Sequence, residues 1–291
     1  MSNLYNLHRL YYKDYFKGVD LKKYVLNSSN ADTKDSKITA LNKLLIENED
    51  DRYSQKVKDG EKWIWKLREE YIINLAEELS PKETDRIPLE IQYPGLVTGV
   101  GIDHEAKITG EFKLGVHFDW THGMPVVYGS SVKGVLRSAF ISKQKNGKIL
   151  EYDDYFLKEV TQREWSQEEI KTLFDAIFKG KDEKGNNLSI YDRDVFFDAV
   201  IVAPDSKGRI LCPDSITPHG DNPLKNPIPI TFLKIAPGCT MEFRFKLHNT
   251  DFGEGKIFTA AQKKILFKDI LTTVGIGAKT NVGYGQLEEK D

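Results

Sequence analysis

The segment GIGAKTNVGYG, residues 275–285, carries four glycines with a lysine, a hydroxyl, an amide and a phenol between them. Glycine allows positive φ and close approach of a ligand to the backbone, and successive amide groups in such a loop can bind an anion. Side chains of these types suit phosphate, sugar or base contacts. The loop therefore favours binding of a phosphate backbone, with a tight β-turn as the alternative. The candidate contacts are Gly275, Gly277, Lys279, Thr280, Asn281 and Tyr284.

The same segment does not match a nucleotide-binding P-loop. That motif needs G-x-x-x-x-G-K-[ST], but Ala278 precedes Lys279, and Thr273 stands at the position of the first glycine. A nucleotide-binding enzyme that uses this loop in another way stays open as an alternative. It predicts saturable binding of ATP or GTP.

A second anion-suited segment is YGSSVKGVLR, residues 128–137. Ser130 and Ser131 open a predicted helix, whose first turn would present free amide groups. Lys133 and Arg137 are four residues apart and share a face away from the apolar positions. A helix with a buried stripe and a cationic face fits a groove for a polyanion, and a capped helix with solvated bases is the alternative. The apolar positions are Val132, Val135, Leu136 and Ala139.

Candidates for acid–base chemistry are few. His117 and Asp119 are weak catalytic candidates, because a histidine or aspartate in a loop could act as general base in metal-free RNA cleavage. Turn formation by Asp119 is the alternative. The histidines lack zinc-site spacing, and Cys212 and Cys239 are too few for a cysteine site, so we expect no metal, no cofactor and two free thiols in a reducing cytoplasm. Rings that could stack on a base lie at Trp120, Tyr128 and Tyr284.

A mixed fold must position these segments. Residues 1–80 are predicted to be helical, because apolar residues recur four apart at Trp63, Leu67, Tyr71 and Leu75. From about residue 91 the sequence becomes rich in strand formers, with an acidic helical stretch over 150–180 and a helix over about 255–272. That order predicts an α+β sandwich with an antiparallel sheet and helices on one face. Strands are predicted within 194–204, 209–216, 228–235 and 240–247.

Composition excludes several classes of protein. The chain has 291 residues, 40% of them hydrophobic, and a formal net charge of −2, so it can bury a core and is neither a disordered tail nor a uniformly basic nucleic-acid binder. No apolar run reaches the roughly 18 residues of a membrane helix. Charge is uneven: residues 129–148 hold five bases and no acid, whereas 149–199 hold 13 acids and 7 bases. Any nucleic-acid surface must therefore be a local patch.

Three ordered motifs give the chain a family resemblance: GVGIDHEAKITGEF, GMPVVYGSSVKGVLR and GIGAKTNVGYG. Their combination resembles the RAMP superfamily of CRISPR-associated RNA-binding proteins. Within it, the chain is most similar to the family of sixth subunits of type III-B (Cmr) effector complexes, on the glycines before His104, on PDSITPH (213–219) and on GAKTNVGYG (277–285). The resemblance covers about residues 94–287 and says little about residues 1–90.

The resemblance implies a ferredoxin-like (RRM-like) core over residues 91–291, with a helical insertion at about 149–190 and a helical N-terminal extension over 1–90. It implies a non-catalytic cytoplasmic backbone subunit of an antiviral ribonucleoprotein. That subunit would bind crRNA toward its 3′ end beside target RNA and other RAMP subunits, with no membrane partner. In the family, the glycine-rich loop and the G-S-S-x-K-G helix lie against RNA, which corresponds here to Gly275–Gly285 and Ser130–Arg137. A RAMP endoribonuclease acting on target or guide RNA is the alternative, and it predicts that Asp119→Ala or His117→Ala abolishes cleavage.

Overall fold

The computed structural model describes residue 11 and residues 54–68, 85–99, 111–217, 229–253 and 255–290. Within these ranges the chain forms a mixed α/β structure with antiparallel sheets. The helices are α1 Gly129–Ser138, α2 Tyr155–Thr161, α3 Gln167–Lys179 and α4 Ala260–Val274. The strands are β1 Ser54–Asp59, β2 Lys62–Leu67, β3 Asp85–Ile91, β4 Lys113–Leu114, β5 His117–Phe118, β6 Pro125–Val127, β7 Ile141–Lys145, β8 Lys148–Tyr152, β9 Val195–Phe196, β10 Ala199–Ala203, β11 Leu211–Ile216, β12 Ile230–Ile235, β13 Thr240–Lys246, β14 Thr250–Asp251, β15 Ile257–Phe258 and β16 Leu287–Glu288.

The main sheet has the strand order β16-β3-β13-β10-β6-β5, with β9 also paired to β13. All of its pairings are antiparallel. The predicted alternation of β13 is confirmed, because Met241, Phe243 and Phe245 are fully buried and Phe243 lies opposite Ile87 of β3. Arg244 on the other face is also buried, and its guanidinium pairs with Glu242 at 2.7 Å.

Helices α1 and α4 contact one another, and α4 also contacts β3 and β16 of the main sheet. The buried side of α4 includes Phe267, whose ring centroid lies 5.2 Å from that of Phe245. A capping box between Thr259 and Gln262 starts this helix by satisfying amides of its first turn. The helix ends at Gly275, directly before the glycine-rich loop, so packing of α4 on the sheet sets where that loop begins.

The predicted acidic helical stretch is confirmed as α2 and α3, which follow the β7–β8 hairpin. Ser166 and Glu169 form a capping box at the start of α3, and Gly180 ends it in the left-handed conformation. The buried face of α3 joins an aromatic cluster in which Phe140 and Phe178 have ring centroids 5.4 Å apart. A separate sheet has the strand order β11-β12-β4. It is bonded to the glycine-rich loop through the hydroxyl of Tyr284, which donates to Asp214 of β11.

The helix predicted across residues 61–79 is wrong where the structure describes it. Residues 54–67 form the antiparallel β1–β2 hairpin, which turns at Gly60 and contacts β10. A four-residue step returns to the same side of a strand as well as to the same face of a helix, so the spacing did not discriminate helix from strand. Tyr71 and Leu75 lie outside the described residues, as do all of residues 1–53 except residue 11.

Strand β3 crosses the boundary that we predicted at residue 90. It begins at Asp85 and lies between β16 and β13 in the main sheet. Ile87, Leu89 and Ile91 alternate along the strand and form its buried face. Pro88 lies in the middle of the segment, and because proline argues against a strand, the sequence does not predict one here. The main sheet therefore includes residues that we had assigned to the helical extension.

Candidate RNA interface

Helix α1 starts directly after the short strand β6. The amide of Gly129 donates to Asp198 Oδ1 at 2.7 Å, and the amides of Ser131 and Val132 donate to the Tyr128 carbonyl at 2.8 and 3.1 Å. Asp198 thus already places a carboxylate at the positive end of the helix. The expectation that the first turn offers free amides to an anion is therefore wrong at these three positions.

The polar residues of α1 lie on opposite flanks of its buried face. Ser131 and Lys133 are two residues apart, which places them about 160° apart around the helix axis. Lys133 Nζ lies 5.3 Å from the centre of the Phe196 ring, and Arg137 Cζ lies 5.3 Å from that of Phe174. Burial lowers the pKa of Lys133, although the attraction of Asp194 opposes that shift. Both cations are half-buried against aromatic faces, while Ser130 and Ser131 are exposed.

Ser131 faces the glycine-rich loop across a pocket of about 160 Å³. Its lining includes Ser131, Tyr128 and Val135 from the α1 region, and Gly277 and Ala278 from the loop. His117 and Thr98 complete the wall, and the His117 amide donates to Thr98 Oγ1 at 2.6 Å. The structure therefore brings together one predicted serine, one predicted glycine and one predicted histidine. Nothing in the sequence signals Thr98, because its role depends on a contact with a distant segment.

Gly277 is held against the backbone of residues 96–97. Its φ is +93°, and a Cβ at this position would lie 2.4 Å from the Val97 carbonyl oxygen. That same oxygen accepts a hydrogen bond from the Ala278 amide at 2.7 Å. Only glycine combines this conformation with this approach, so the loop depends on glycine here as the sequence predicts.

Six of the eleven amides of the loop donate hydrogen bonds to carbonyl oxygens of the protein. The Ile276 amide donates to Gly285 at 2.9 Å, and the Gly285 amide donates to Gly95 at 2.8 Å. The amides of Val282 and Gly283 close the 3-10 turn over Thr280–Val282. These groups hold the loop in shape and are not available to an anion. Contacts to RNA from this loop would therefore come mainly from its side chains and from the surface at Gly277.

Tyr284 is a support of the loop. Its ring is buried, and its hydroxyl donates to Asp214 Oδ2 at 2.7 Å. Lys234 also donates to that carboxylate and lies over the Tyr284 ring. Burial alone would raise the pKa of Asp214, but the two hydrogen bonds outweigh burial and lower it. The expectation that Tyr284 stacks on a base does not fit this position.

The two weak catalytic candidates differ in their surroundings. Asp119 Oδ1 accepts hydrogen bonds from the amides of Thr121 and His122 at 3.0 and 2.6 Å, and lies 2.9 Å from His122 Nδ1. Asp119 thus stabilises the turn after β5, as the alternative reading predicts. His117 stacks on Tyr128 with ring centroids 5.0 Å apart and lines the pocket. Trp120 in the same turn is 77% exposed.

Among the described residues, no group of three or more histidine, cysteine or acidic side chains is arranged to hold a metal ion. Cys212 and Cys239 are both buried free thiols, and burial raises the pKa of Cys212 to about 11. None of the helices in the described ranges is both long and apolar enough to cross a membrane.

A sequence model of one family matches most of the chain. The RAMP superfamily model covers residues 88–288, which begin inside β3 and end in β16. The matched range includes α1, the glycine-rich loop and every residue that lines the pocket. No curated protein sequence matches the chain significantly.

The chain is also similar to several solved structures. A chain of the type III-B Cmr-β complex bound to cognate target RNA is 21% identical, with a TM-score of 0.48 over 75% of this chain and 62% of that one. Cmr6 from Pyrococcus furiosus is 21% identical, with a TM-score of 0.40 over 71% of this chain and 98% of that one. A chain of a type IV-B CRISPR complex is 13% identical, with a TM-score of 0.38 over 70% and 89%. This chain thus spans under two thirds of the Cmr-β chain, and the family match carries more weight than these similarities.

Proposed function

The chain belongs to the RAMP superfamily, and on that premise we propose that it is a non-catalytic, guide-RNA-binding backbone subunit of a type III-B CRISPR effector complex. In this proposal it binds crRNA toward the 3′ end of the guide. Its partners are the guide, the target RNA and neighbouring RAMP subunits. The observation that carries the proposal is the pocket between α1 and the glycine-rich loop, because it joins two segments that the sequence independently marks as suited to RNA.

The proposal includes a ferredoxin-like core. In support, the elements β3, α1, β10, β13, α4 and β16 follow one another in the order β-α-β-β-α-β. The strands of this set lie side by side as β16-β3-β13-β10, all antiparallel. The insertion that carries α2 and α3 lies between α1 and β10 in the chain, so it interrupts this order without changing it.

Guide RNA crosses the exposed face of α1 in this proposal. Ser131 borders that face on the side of the glycine-rich loop, and Lys133 and Arg137 border it on the other side. Gly134 lies between them, and a Cβ there would meet open space. A strand on this path could contact Ser130, Ser131 and the cations together, with Lys279, Thr280 and Asn281 contributing from the loop. Phosphate contacts of this kind tolerate any sequence and weaken with salt.

The first experiment is co-purification of the tagged full chain from its native host, with sequencing of the RNA and identification of the proteins that accompany it. A uniform set of short RNAs together with other CRISPR effector subunits is the expected result. Recovery of the chain without RNA and without such subunits, from cells that express the CRISPR locus, would contradict the proposal.

A salt titration tests the path across α1. Lys133→Ala combined with Arg137→Ala should weaken RNA binding and reduce the slope of log K against log salt by about 0.7 for each lost single-strand phosphate contact. The control is Lys171→Ala combined with Lys184→Ala, two lysines of the acidic insertion. An unchanged slope in the α1 variant would show that this flank does not contact RNA.

A RAMP endoribonuclease is the second candidate function, because His117 lines the pocket. In that case His117→Ala should abolish cleavage of guide or target RNA by the assembled complex. His117→Gln, which keeps a hydrogen-bonding side chain, should not restore it. Full cleavage by both His117→Ala and Asp119→Ala would remove this candidate.

A further inference from the structure

The most exposed large apolar side chain in the described ranges is that of Tyr93, which is 84% exposed. It follows β3 in the turn over residues 92–95, where the Gly95 amide donates to the Gln92 carbonyl at 2.8 Å. A tyrosine ring in water contributes nothing to the core. Its ring is therefore available to a partner outside this chain.

The turn that carries Tyr93 is bonded to the glycine-rich loop on both sides. The Gln92 amide donates to the Gln286 carbonyl at 2.9 Å, and the Gly285 amide donates to the Gly95 carbonyl at 2.8 Å. Pro94 lies beside the loop as well: a Cβ built on Gly283 would be 3.7 Å from Pro94 Cδ. Tyr93 is thus presented on a well-fixed turn at the edge of the loop.

A second apolar side chain is exposed at this edge. Val282 is 63% exposed and stands in the 3-10 turn directly before Gly283. Lys279 precedes the same 3-10 turn and supplies a cation. The edge therefore combines a flat ring, an apolar side chain and a positive charge, which are the groups that bind single-stranded nucleic acid without sequence preference.

We propose that Tyr93 stacks on a base of the guide RNA, with Val282 beside it and Lys279 near the adjoining phosphate. The inference rests on the proposed function and assigns to Tyr93 the stacking role that the sequence suggested for Tyr284. Tyr284 cannot fill that role where it lies, because its ring is buried and its hydroxyl is bonded to Asp214. Tyr93 offers its ring at the same loop.

The size of the patch favours a base over a protein. A stable protein interface buries about 800 Å² on each partner, and one tyrosine with one valine provides only part of that area. Stacking of a single base, in contrast, requires only one aromatic side chain. Tyr93 also lies close along the chain to Thr98, which lines the pocket: five residues span at most about 18 Å. One RNA strand can therefore reach both the pocket and Tyr93.

The test measures binding of a fluorescein-labelled single-stranded oligouridine RNA by the full chain, and guide occupancy of the complex purified from the native host. Tyr93→Ala should weaken oligouridine binding by about 5- to 150-fold, the range for loss of one stacked base. Tyr93→Phe keeps the ring and should bind like the unaltered chain. The matched control is Tyr191→Ala, which removes another exposed tyrosine, 74% exposed, on the insertion.

Salt dependence separates stacking from phosphate contact. Tyr93→Ala should leave the slope of log K against log salt unchanged, whereas Lys279→Ala should reduce it by about 0.7. Equal affinity of Tyr93→Ala and the unaltered chain, while RNA still binds, would overturn the inference and leave the proposed function standing. Equal loss in Tyr93→Phe and Tyr93→Ala would also overturn it, since the hydroxyl and not the ring would then matter.

Two further outcomes are decisive. In the first, the Tyr93→Ala variant no longer co-purifies with the native complex, although it binds oligouridine as well as the unaltered chain does. The patch then docks a protein subunit, and the stacking inference is wrong. If neither the unaltered chain nor its native complex binds RNA, the proposed function fails and this inference fails with it. The thermal midpoint of Tyr93→Ala should equal that of the unaltered chain, because the ring is almost fully exposed.

Discussion

Gly277→Ala should destabilise the protein much more than Gly283→Ala, although both glycines belong to one loop. The two positions have nearly the same backbone angle, with φ of +93° and +96°. They differ in the space beside the Cα atom. A Cβ at 277 would lie 2.4 Å from the Val97 oxygen and 2.7 Å from Leu96 Cδ1, whereas at 283 the nearest atom would be 3.7 Å away.

The expected magnitudes follow from these distances. At either position, alanine at positive φ costs about 1–2 kcal/mol. At 277 the backbone must also move away from Val97, which breaks the hydrogen bond from Ala278 and leaves a carbonyl unsatisfied, for about 1–3 kcal/mol more. We therefore expect a loss of about 1–2 kcal/mol for Gly283→Ala and about 2–5 kcal/mol for Gly277→Ala.

Urea denaturation monitored by circular dichroism measures the loss in free energy of unfolding for both variants. Equal m-values would show that their unfolded states are comparable. RNA affinity at a temperature where both variants are folded gives a second readout. Gly277→Ala should also weaken binding there, because position 277 lines the pocket and position 283 is absent from its lining. Equal free-energy losses for the two variants would refute the argument from close approach and leave backbone conformation as the only constraint.

Three more predictions concern ionisable groups. Asp194→Asn should destabilise the protein by about 3–5 kcal/mol in urea denaturation, because it leaves Lys263 without its carboxylate partner where both side chains are only 2% exposed and 2.5 Å apart; Lys263→Met leaves the Asp194 carboxylate unpaired and should cost a similar amount, and a negligible loss for either variant would contradict the pairing. The pKa of Asp214 is lowered by hydrogen bonds, chiefly from Lys234, that outweigh burial, so its contribution to stability is complete above the unfolded pKa of about 3.9 and is lost as pH falls through the lower folded pKa. The stability difference between the unaltered chain and Asp214→Asn should therefore shrink between pH 5 and pH 2, and a constant difference would show that the carboxylate is not stabilised. Because the pKa of Cys212 is raised to about 11, roughly one thiol in 1,000 is ionised at pH 8, so mass spectrometry should find iodoacetamide labelling there far slower in the folded protein than in urea, and rapid labelling of folded protein would contradict the burial.

Local patterns were sufficient for elements whose signals lie within a few residues. The alternation of β13 predicts its buried face, and the pairs Ser166 with Glu169 and Thr259 with Gln262 mark the starts of α3 and α4. The spacing that failed was the four-residue step in β2, since that step fits both a helix and a strand. Strand β3 was missed because Pro88 interrupts an otherwise alternating segment.

Contacts between distant segments decided the functional surface. The sequence predicts that α1 and the glycine-rich loop both suit an anion, but not that Ser131 turns toward the loop while Lys133 and Arg137 lie against aromatic rings. It also does not predict that Asp198 occupies the start of α1. Such contacts depend on how the elements pack, and no local spacing encodes them.

The sequence by itself determined the superfamily, the mixed α/β class, the buried stripes of the main elements and the need for glycine at 277, because each depends on residue type and short-range spacing. Only the tertiary structure decided which ring faces solvent at the loop. Tyr284 lies between two glycines and Tyr93 lies two residues before one, and composition does not show which ring is exposed. Tyr284 packs inward because Asp214 and Lys234 of the neighbouring sheet bind it, whereas the turn at Tyr93 is fixed through backbone hydrogen bonds that leave its ring exposed.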